Sequence, residues 1–412
     1  MGGIMLRIFD SMFAKSTPEE LIEARRSYDG SALFSYGFRP FFLFGSIWAA
    51  LSLPLWIYAY VNGIGVLGGM SAQEWHVHEM LFGFLAAVIA GFLLTAVPNW
   101  TGRLPVRGMR LIMLFFLWAA GRAAMLLLEQ VGPITAAIID SAFLFVLALM
   151  IWREVIAGKN IRNMPVCFLT TLLAASNVGF HVGAASFEIH ELSEHIAIGI
   201  IALLIALIGG RIVPSFTRNW LNQQKKSPLP AQFGPVDRIS LAAAGIGLLG
   251  WAIDVRGNLV GIMLVIAGLL HAIRLARWRG WLTGGEPLVL ILHVGYAWLP
   301  LSFLLLGASV LAPAIIPPHA ALHALTAGAM GTMTLAVMTR ATLGHTGRRL
   351  TADAWTTAIY GLVVAGALLR VLGTTALVQF YMDVILMSSL LWSGAFALFA
   401  VRYGLMLISP KQ

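Results

Sequence analysis

Two histidines and a glutamate open a long apolar run, WHVHEMLFGFLAAVIAGFLLTAVPNW, with His76, His78 and Glu79 near its start. Neutral imidazole is the commonest ligand for copper and for haem iron, and a ligating ring usually gives its second N–H to a carboxylate or carbonyl. Glu79 is placed for that supporting role. A His-x-His spacing turns two side chains about 200° apart on an ideal helix, so His76 and His78 serve two centres more readily than one. His319 and His323, in HAALHALTAGAMGTM, are four residues apart and share a helix face. They can converge on one ion, although His319 can equally sit at the aqueous boundary.

These residues must be positioned by membrane-spanning helices. The 412 residues are 59% hydrophobic and 11% charged, far below the roughly 25% charged of a soluble domain. Apolar stretches of about 20 residues, the length that crosses the hydrocarbon of a bilayer, recur from Phe41 onward. Twelve are expected, near 41–60, 78–97, 109–128, 134–152, 165–186, 193–213, 237–254, 258–275, 288–311, 318–339, 354–373 and 379–401. The fold class is therefore all-α, a polytopic bundle of twelve transmembrane helices. It forms one domain over 41–405, after a segment 1–40 and with a polar connector near 214–236 dividing it into six helices and six.

Lys and Arg give the orientation, because short loops rich in them stay in the cytoplasm. Arg25, Arg26 and Arg39 precede the first span, and every even-to-odd connection is basic. The odd-to-even connections are nearly free of Lys and Arg, Arg256 being the exception. Both termini are thus expected in the cytoplasm. The net charge of +9 reflects an anionic lipid leaflet rather than nucleic acid, for which no basic soluble surface is visible. The single Cys167 excludes an internal disulfide and a cysteine metal cage. The first forty residues hold charges and no cleavable apolar core, so no removable signal peptide is expected.

With that orientation, seven of the ten histidines fall in or near the outer third of the membrane: His76, His78, His181, His190, His195, His319 and His323. Ionisable groups inside a bilayer are costly and mark functional sites by default. His190 and His195, beside Glu188, Glu191 and Glu194, read as an external segment hydrogen-bonded to water. His271, His293 and His345 lie toward the inner side. With Tyr296 they form either a proton path, an inner cofactor site or ordinary structural hydrogen bonds. Arg211 in GGRIVPSFTRNWLNQQKK and Arg340 in MTRATLGHTGRR can hold a carboxylate such as a haem propionate, or satisfy helix-end carbonyls and lipid. Arg122 and Arg370 lie in long apolar runs and must find partners; Asp140 is a candidate partner for Arg122. Met330, Met333 and Met338 could bind Cu(I) or simply pack.

FRPFF, WHVHEMLFGF, GFLLTAVPNW, GGRIVPSFTRNW, LHVGYAWLPL and HALTAGAMGTMTLAVMTRATLGHTGR together resemble the NnrS family, from Phe38 to Arg348. The resemblance implies a multi-pass protein of the bacterial inner membrane that contains haem b and copper and is tied to the nitric oxide response. Its motif histidines correspond to His76, His78, His181, His293, His323 and His345. A more distant likeness is to the catalytic subunit of haem-copper oxidases and nitric oxide reductases. Those place an adjacent His-His pair in span seven and His-x-His in span ten; here span seven has no histidine and His-x-His stands at span two.

The expectation is a haem-copper protein that binds nitric oxide and reduces or otherwise detoxifies it. His76, His78, His181, His319, His323 and His345 are its candidate metal ligands, with His293, Arg211 and Arg340 as further cofactor contacts. Glu79 is its candidate proton donor. The chain has no CxxCH motif, so electrons would come from quinol or another protein. The rival classes are a secondary transporter of metal, haem or a small anion, and a non-catalytic nitric oxide sensor. A transporter should place polar groups at the midplane.

Overall fold

A computed structural model of the chain describes residues 28–66, 70–183, 186–255 and 257–412, the side chain of Phe187 apart. Arg25, Arg26 and Arg256 lie outside the described residues, as does most of the expected segment 1–40. Among the described residues twelve long helices carry the bundle: α1 Phe38–Asn62, α2 Ala72–Thr101, α3 Met109–Leu126, α4 Pro133–Ala157, α5 Met164–Val182, α6 Glu188–Gln223, α7 Pro235–Ala252, α8 Asn258–Ala276, α9 Pro287–Leu311, α10 Pro318–His345, α11 Ala354–Leu372 and α12 Tyr381–Ile408. No strand occurs among the described residues.

Eleven of these helices are long and apolar enough to cross a membrane. The remaining one, α7, is eighteen residues long and stands where the seventh span is expected. Asp237 and Arg238 in its first turn reduce its hydropathy, and Asp237 accepts the backbone N–H of Gly234 at 2.8 Å. The protein is thus a multi-pass membrane protein. Helix starts follow local chemistry. Proline occupies the first turn of α4, α5, α7, α9 and α10, where its missing N–H has no partner to lose. Ser71 and Glu74 cap α2 reciprocally.

Consecutive helices pack side by side from α3 to α10, α11 pairs with α12, and α12 returns against α1. The helices α2, α6, α9 and α10 are the most deeply surrounded. Three of them contain a π-helical stretch: Glu79–Leu85 in α2, Ile205–Gly209 in α6 and Ala324–Met330 in α10. Such wide turns are rare and concentrate at functional sites.

The sixth helix departs most from expectation. It begins at Glu188 rather than 193 and runs to Gln223, ten residues into the expected connector. Its polar last part stays helical because Gly210, Val213, Thr217 and Leu221, spaced along one face, are all buried.

Candidate functional site

The residue pair that opens α2 is split between two sites. His78 points into a fully buried polar cluster, whereas His76 faces a large cavity. This is the divergence that two residues on a helix produce.

The buried cluster joins α2, α3, α4 and α5. His78 Nε2 lies 3.1 Å from Asp140 Oδ2, and His181 Nε2 lies 3.0 Å from the same oxygen. Asn177 Nδ2 donates to it at 2.8 Å. Arg122 donates to Asp140 Oδ1 and to Glu79 Oε2. Glu79 in turn stands 3.0 Å from His78 Nδ1 and accepts the indole N–H of Trp48 at 2.7 Å. Glu79 thus stands against the His78 ring, and Arg122 finds both carboxylates.

Space for this meeting is made by glycine. A Cβ on Gly83 would collide with Arg122 Nη1 and Glu79 Oε2, and one on Gly121 would stand 3.0 Å from Asp140 Oδ1. One ligand atom from each of His78, Asp140 and His181 lies within 4.8 Å of the others, so the three could hold a metal ion. Two carboxylates against one guanidinium leave one negative charge, and His78, with each ring nitrogen at a carboxylate oxygen, is placed to balance it. Buried charge is tolerated only when it is paired and hydrogen-bonded.

On the other face of α2 a cavity of about 510 Å³ opens between α1, α2, α6, α7, α9, α10, α11 and α12. Pockets that bury drug-sized ligands run from about 300 to 1,000 Å³. Five histidines line it: His76, His190, His195, His319 and His323, together with Trp56, Trp251, Trp392 and Arg370. His323 Nδ1 donates to the carbonyl of His319 at 2.7 Å, which leaves Nε2 as the ring's lone pair. His76 stacks on Trp56 at 4.1 Å, and its buried Nδ1 has no hydrogen-bond partner. His190 likewise keeps an unpartnered Nδ1, against Phe180 at 4.0 Å, and His195 packs on Trp251 at 4.2 Å.

His190 and His195, expected in a solvated external segment, therefore stand in the cavity wall. The earlier start of α6 adds Glu188 and Glu191 to the helix that carries Glu194, and Glu191 and Glu194 also line the cavity. Directly below, sharing Leu85, lies a second cavity of about 80 Å³ between α2, α6 and α10. Thr334 is its one polar lining side chain, and that hydroxyl donates to its own helix.

The remaining expected residues lie at the other end of the bundle and line neither cavity. His345 follows His323 by 22 residues on the same helix, about 33 Å along its axis, and packs on Tyr36 and Phe38. His293 Nε2 is 2.7 Å from the hydroxyl of Thr217. Arg211 donates to Asn163 at 2.6 Å, and Arg340 stacks over Phe216 at 4.0 Å. Arg39 donates to the carbonyls of Leu407 and Ser409 at the end of α12.

His271 spends both ring nitrogens on Tyr296 Oη at 2.9 Å and the carbonyl of Ser240 at 3.1 Å, so no lone pair remains for a metal. Its neighbour Arg274 pairs with Asp237 and donates to the carbonyl of Ala206, inside the π-helical stretch of α6. Met333 lines the small cavity, away from the histidine–carboxylate cluster.

Asp140 is the residue that sequence reasoning undervalued. It was legible as an acid that could pair with Arg122, but its contacts to His78 and His181 span 62 and 41 positions of chain. No local spacing reports such a meeting.

None of the curated proteins compared with the chain matches it. A family model, described as NnrS protein, matches residues 32–411; with nearly its whole length matched, the chain belongs to the NnrS family.

Proposed function

We propose that the chain is a haem- and copper-binding protein of the bacterial cytoplasmic membrane that binds nitric oxide between its helices. The observation that carries this reading is the pair of adjoining histidine sites on the two faces of α2. One is roomy and walled by aromatic rings; the other is compact and holds carboxylates.

The residues of the large cavity fit a flat macrocycle. Its imidazoles include buried, unpartnered ring nitrogens, and Trp56, Trp251 and Trp392 offer apolar faces. His76 from α2 and His323 from α10 are the rings that would hold the iron, the second oriented by its hydrogen bond to His319. When bound, such a group supplies a site for a diatomic gas and one-electron chemistry. His78, His181 and Asp140 offer two imidazoles and a carboxylate; both nitrogens of His78 face carboxylate oxygens, so copper there would take the place of the Nε2 proton between His78 and Asp140.

Glu79 would hold or pass protons between this cluster and the outer side, while Arg122 fixes its orientation. The small apolar cavity beneath would admit an uncharged gas, and its nearly all-apolar lining offers water few partners. Electrons would come from quinol or a partner protein.

The test is the absorption spectrum and metal content of detergent-purified protein. Wild type should show a Soret band with iron and copper. His323→Ala and His76→Ala should lose or shift the band, and His78→Ala should lose copper first. Consumption of nitric oxide under reductant separates turnover from binding. Wild-type protein free of both metals after expression with haem and copper supplied would end the proposal.

A further inference from the structure

Arg370 lies in the last turn of α11 and lines the large cavity together with His76 and His323. Its Nη1 is buried and has no hydrogen-bond partner. Its polar neighbours are the phenols of Tyr381 and Tyr60, which carry no charge to balance it. Three other deeply placed arginines have their charge met by carboxylates or carbonyls, even though Arg122 Nε and Arg274 Nη2 are likewise left without a partner. Arg122 pairs with Glu79 and Asp140, Arg274 pairs with Asp237, and Arg39 is spent on carbonyls at the end of α12.

No ion pair to Arg370 occurs among the described residues. The acids that line the same cavity, Glu191, Glu194 and Asp254, come from α6 and the end of α7, and none of them reaches it. An always-charged, planar guanidinium with a desolvated and unused N–H is built to receive an oxyanion. Because none of the cavity's own acids pairs with Arg370, the oxyanion would arrive with the ligand.

We infer that Arg370 is the anion-holding group of the large cavity, and that the molecule filling it is an amphipathic acid. Its flat apolar body lies against Trp56 and Trp392, and a carboxylate faces the α11 wall. The inference rests on the macrocycle reading above and deepens it, since the carboxylate would be one of the acidic side chains of the porphyrin. Lysine at 370 would keep the charge but lose the planar fork. Glutamine would keep much of the size and hydrogen bonding without the charge.

The experiment strips the full-length protein of cofactor in detergent and titrates it with ferric protoporphyrin and, separately, with its dimethyl ester. Affinity is read from the absorption change. Wild type should prefer the free acid over the ester by about tenfold or more, the scale of one charge-assisted hydrogen bond. Arg370→Gln should bind both forms alike, and Arg370→Lys should keep most of the preference, which guards against a glutamine variant that merely misfolds. Equal affinity of wild type for acid and ester, or an undiminished preference in Arg370→Gln, overturns the role of Arg370 while leaving the macrocycle reading intact. Failure of wild type to bind either porphyrin overturns both.

Discussion

Asparagine at position 140 tests the buried cluster most directly. Asp140 Oδ2 meets His78, His181 and Asn177 at 3.1, 3.0 and 2.8 Å, and Oδ1 accepts from Arg122. The substitution keeps the shape but removes the charge and replaces one acceptor with an NH₂ group. Whichever way that amide turns, it presents donors to Arg122 or to the donors around Oδ2. Hydrogen bonds to charged groups are worth about 1.5–3 kcal/mol, and removing one partner of a buried ion pair costs about 3–5 kcal/mol. Arg122 keeps Glu79, so its charge is not orphaned, and the low end of that range applies: a loss of about 3 kcal/mol.

Against a total stability of roughly 5–15 kcal/mol this is a large fraction. It is measured as the shift in unfolding midpoint when the purified protein is titrated with SDS in mixed micelles, with bound metal counted in the same samples. Asp140→Asn should unfold earlier and lose the metal held with His78 and His181. A parallel Arg122→Met, Asp140→Leu cycle should show coupling of about 0.5–3 kcal/mol, as expected of residues sharing one network. An asparagine variant with the wild-type midpoint and metal content would refute both the pairing and the ligation.

Gly83→Ala places a methyl group on Arg122 Nη1 and Glu79 Oε2, and should cost about 1–3 kcal/mol by overpacking in the same SDS titration. Ile205→Trp should fill the small apolar cavity and slow nitric oxide rebinding after flash photolysis severalfold while leaving the equilibrium spectrum unchanged; unaltered kinetics would remove that cavity from the gas route. Asp353 lies outside the spans and caps α11. Burial alone would raise its pKa, but hydrogen bonds from Thr356 and the Arg402 guanidinium outweigh this and hold it below the ordinary carboxylate value. Its contribution is present above the unfolded pKa and fades as pH falls through the lower folded one, so amide exchange at Thr356 should accelerate only in that acid range, and Asp353→Ala should abolish the dependence.

The spans could be read from the sequence because a bilayer demands about 20 apolar residues for each, whatever the tertiary fold. The separation of His76 from His78 followed from helix geometry alone, and Arg122 with Asp140 from the need to neutralise a buried charge. What escaped depended on helix starts and on distance. Moving the start of α6 from 193 to Glu188 brought His190 onto the helix that carries His195, and both stand in the cavity wall. The convergence of α2, α4 and α5 on one aspartate is tertiary information. His345 and Arg340 share a helix with His323, yet the rise of that helix carries them some 25–33 Å away, beyond either histidine site.

The π-helical stretches tie these observations together. In α2 the stretch begins at Glu79, directly after His78, and in α10 it begins at Ala324, directly after His323. Each residue of an α-helix turns the chain by about 100°, so a wide turn that accommodates an additional residue resets the faces on either side of it. The last turns before the stretch can then aim imidazoles sideways, His76 into the cavity and His78 into the cluster. Beyond it, Val88, Ile89, Phe92 and Leu93 still present an apolar face to the small cavity. An unbroken helix would have to choose between the register that suits the histidines and the one that suits the packing below them. Irregular backbone hydrogen bonding inside a membrane is costly unless it is buried in protein, and α2 and α10 are among the most enclosed helices of this bundle. The irregularity thus sits where the surrounding helices can tolerate it and where it lets one helix seat its histidines above and pack apolar residues below.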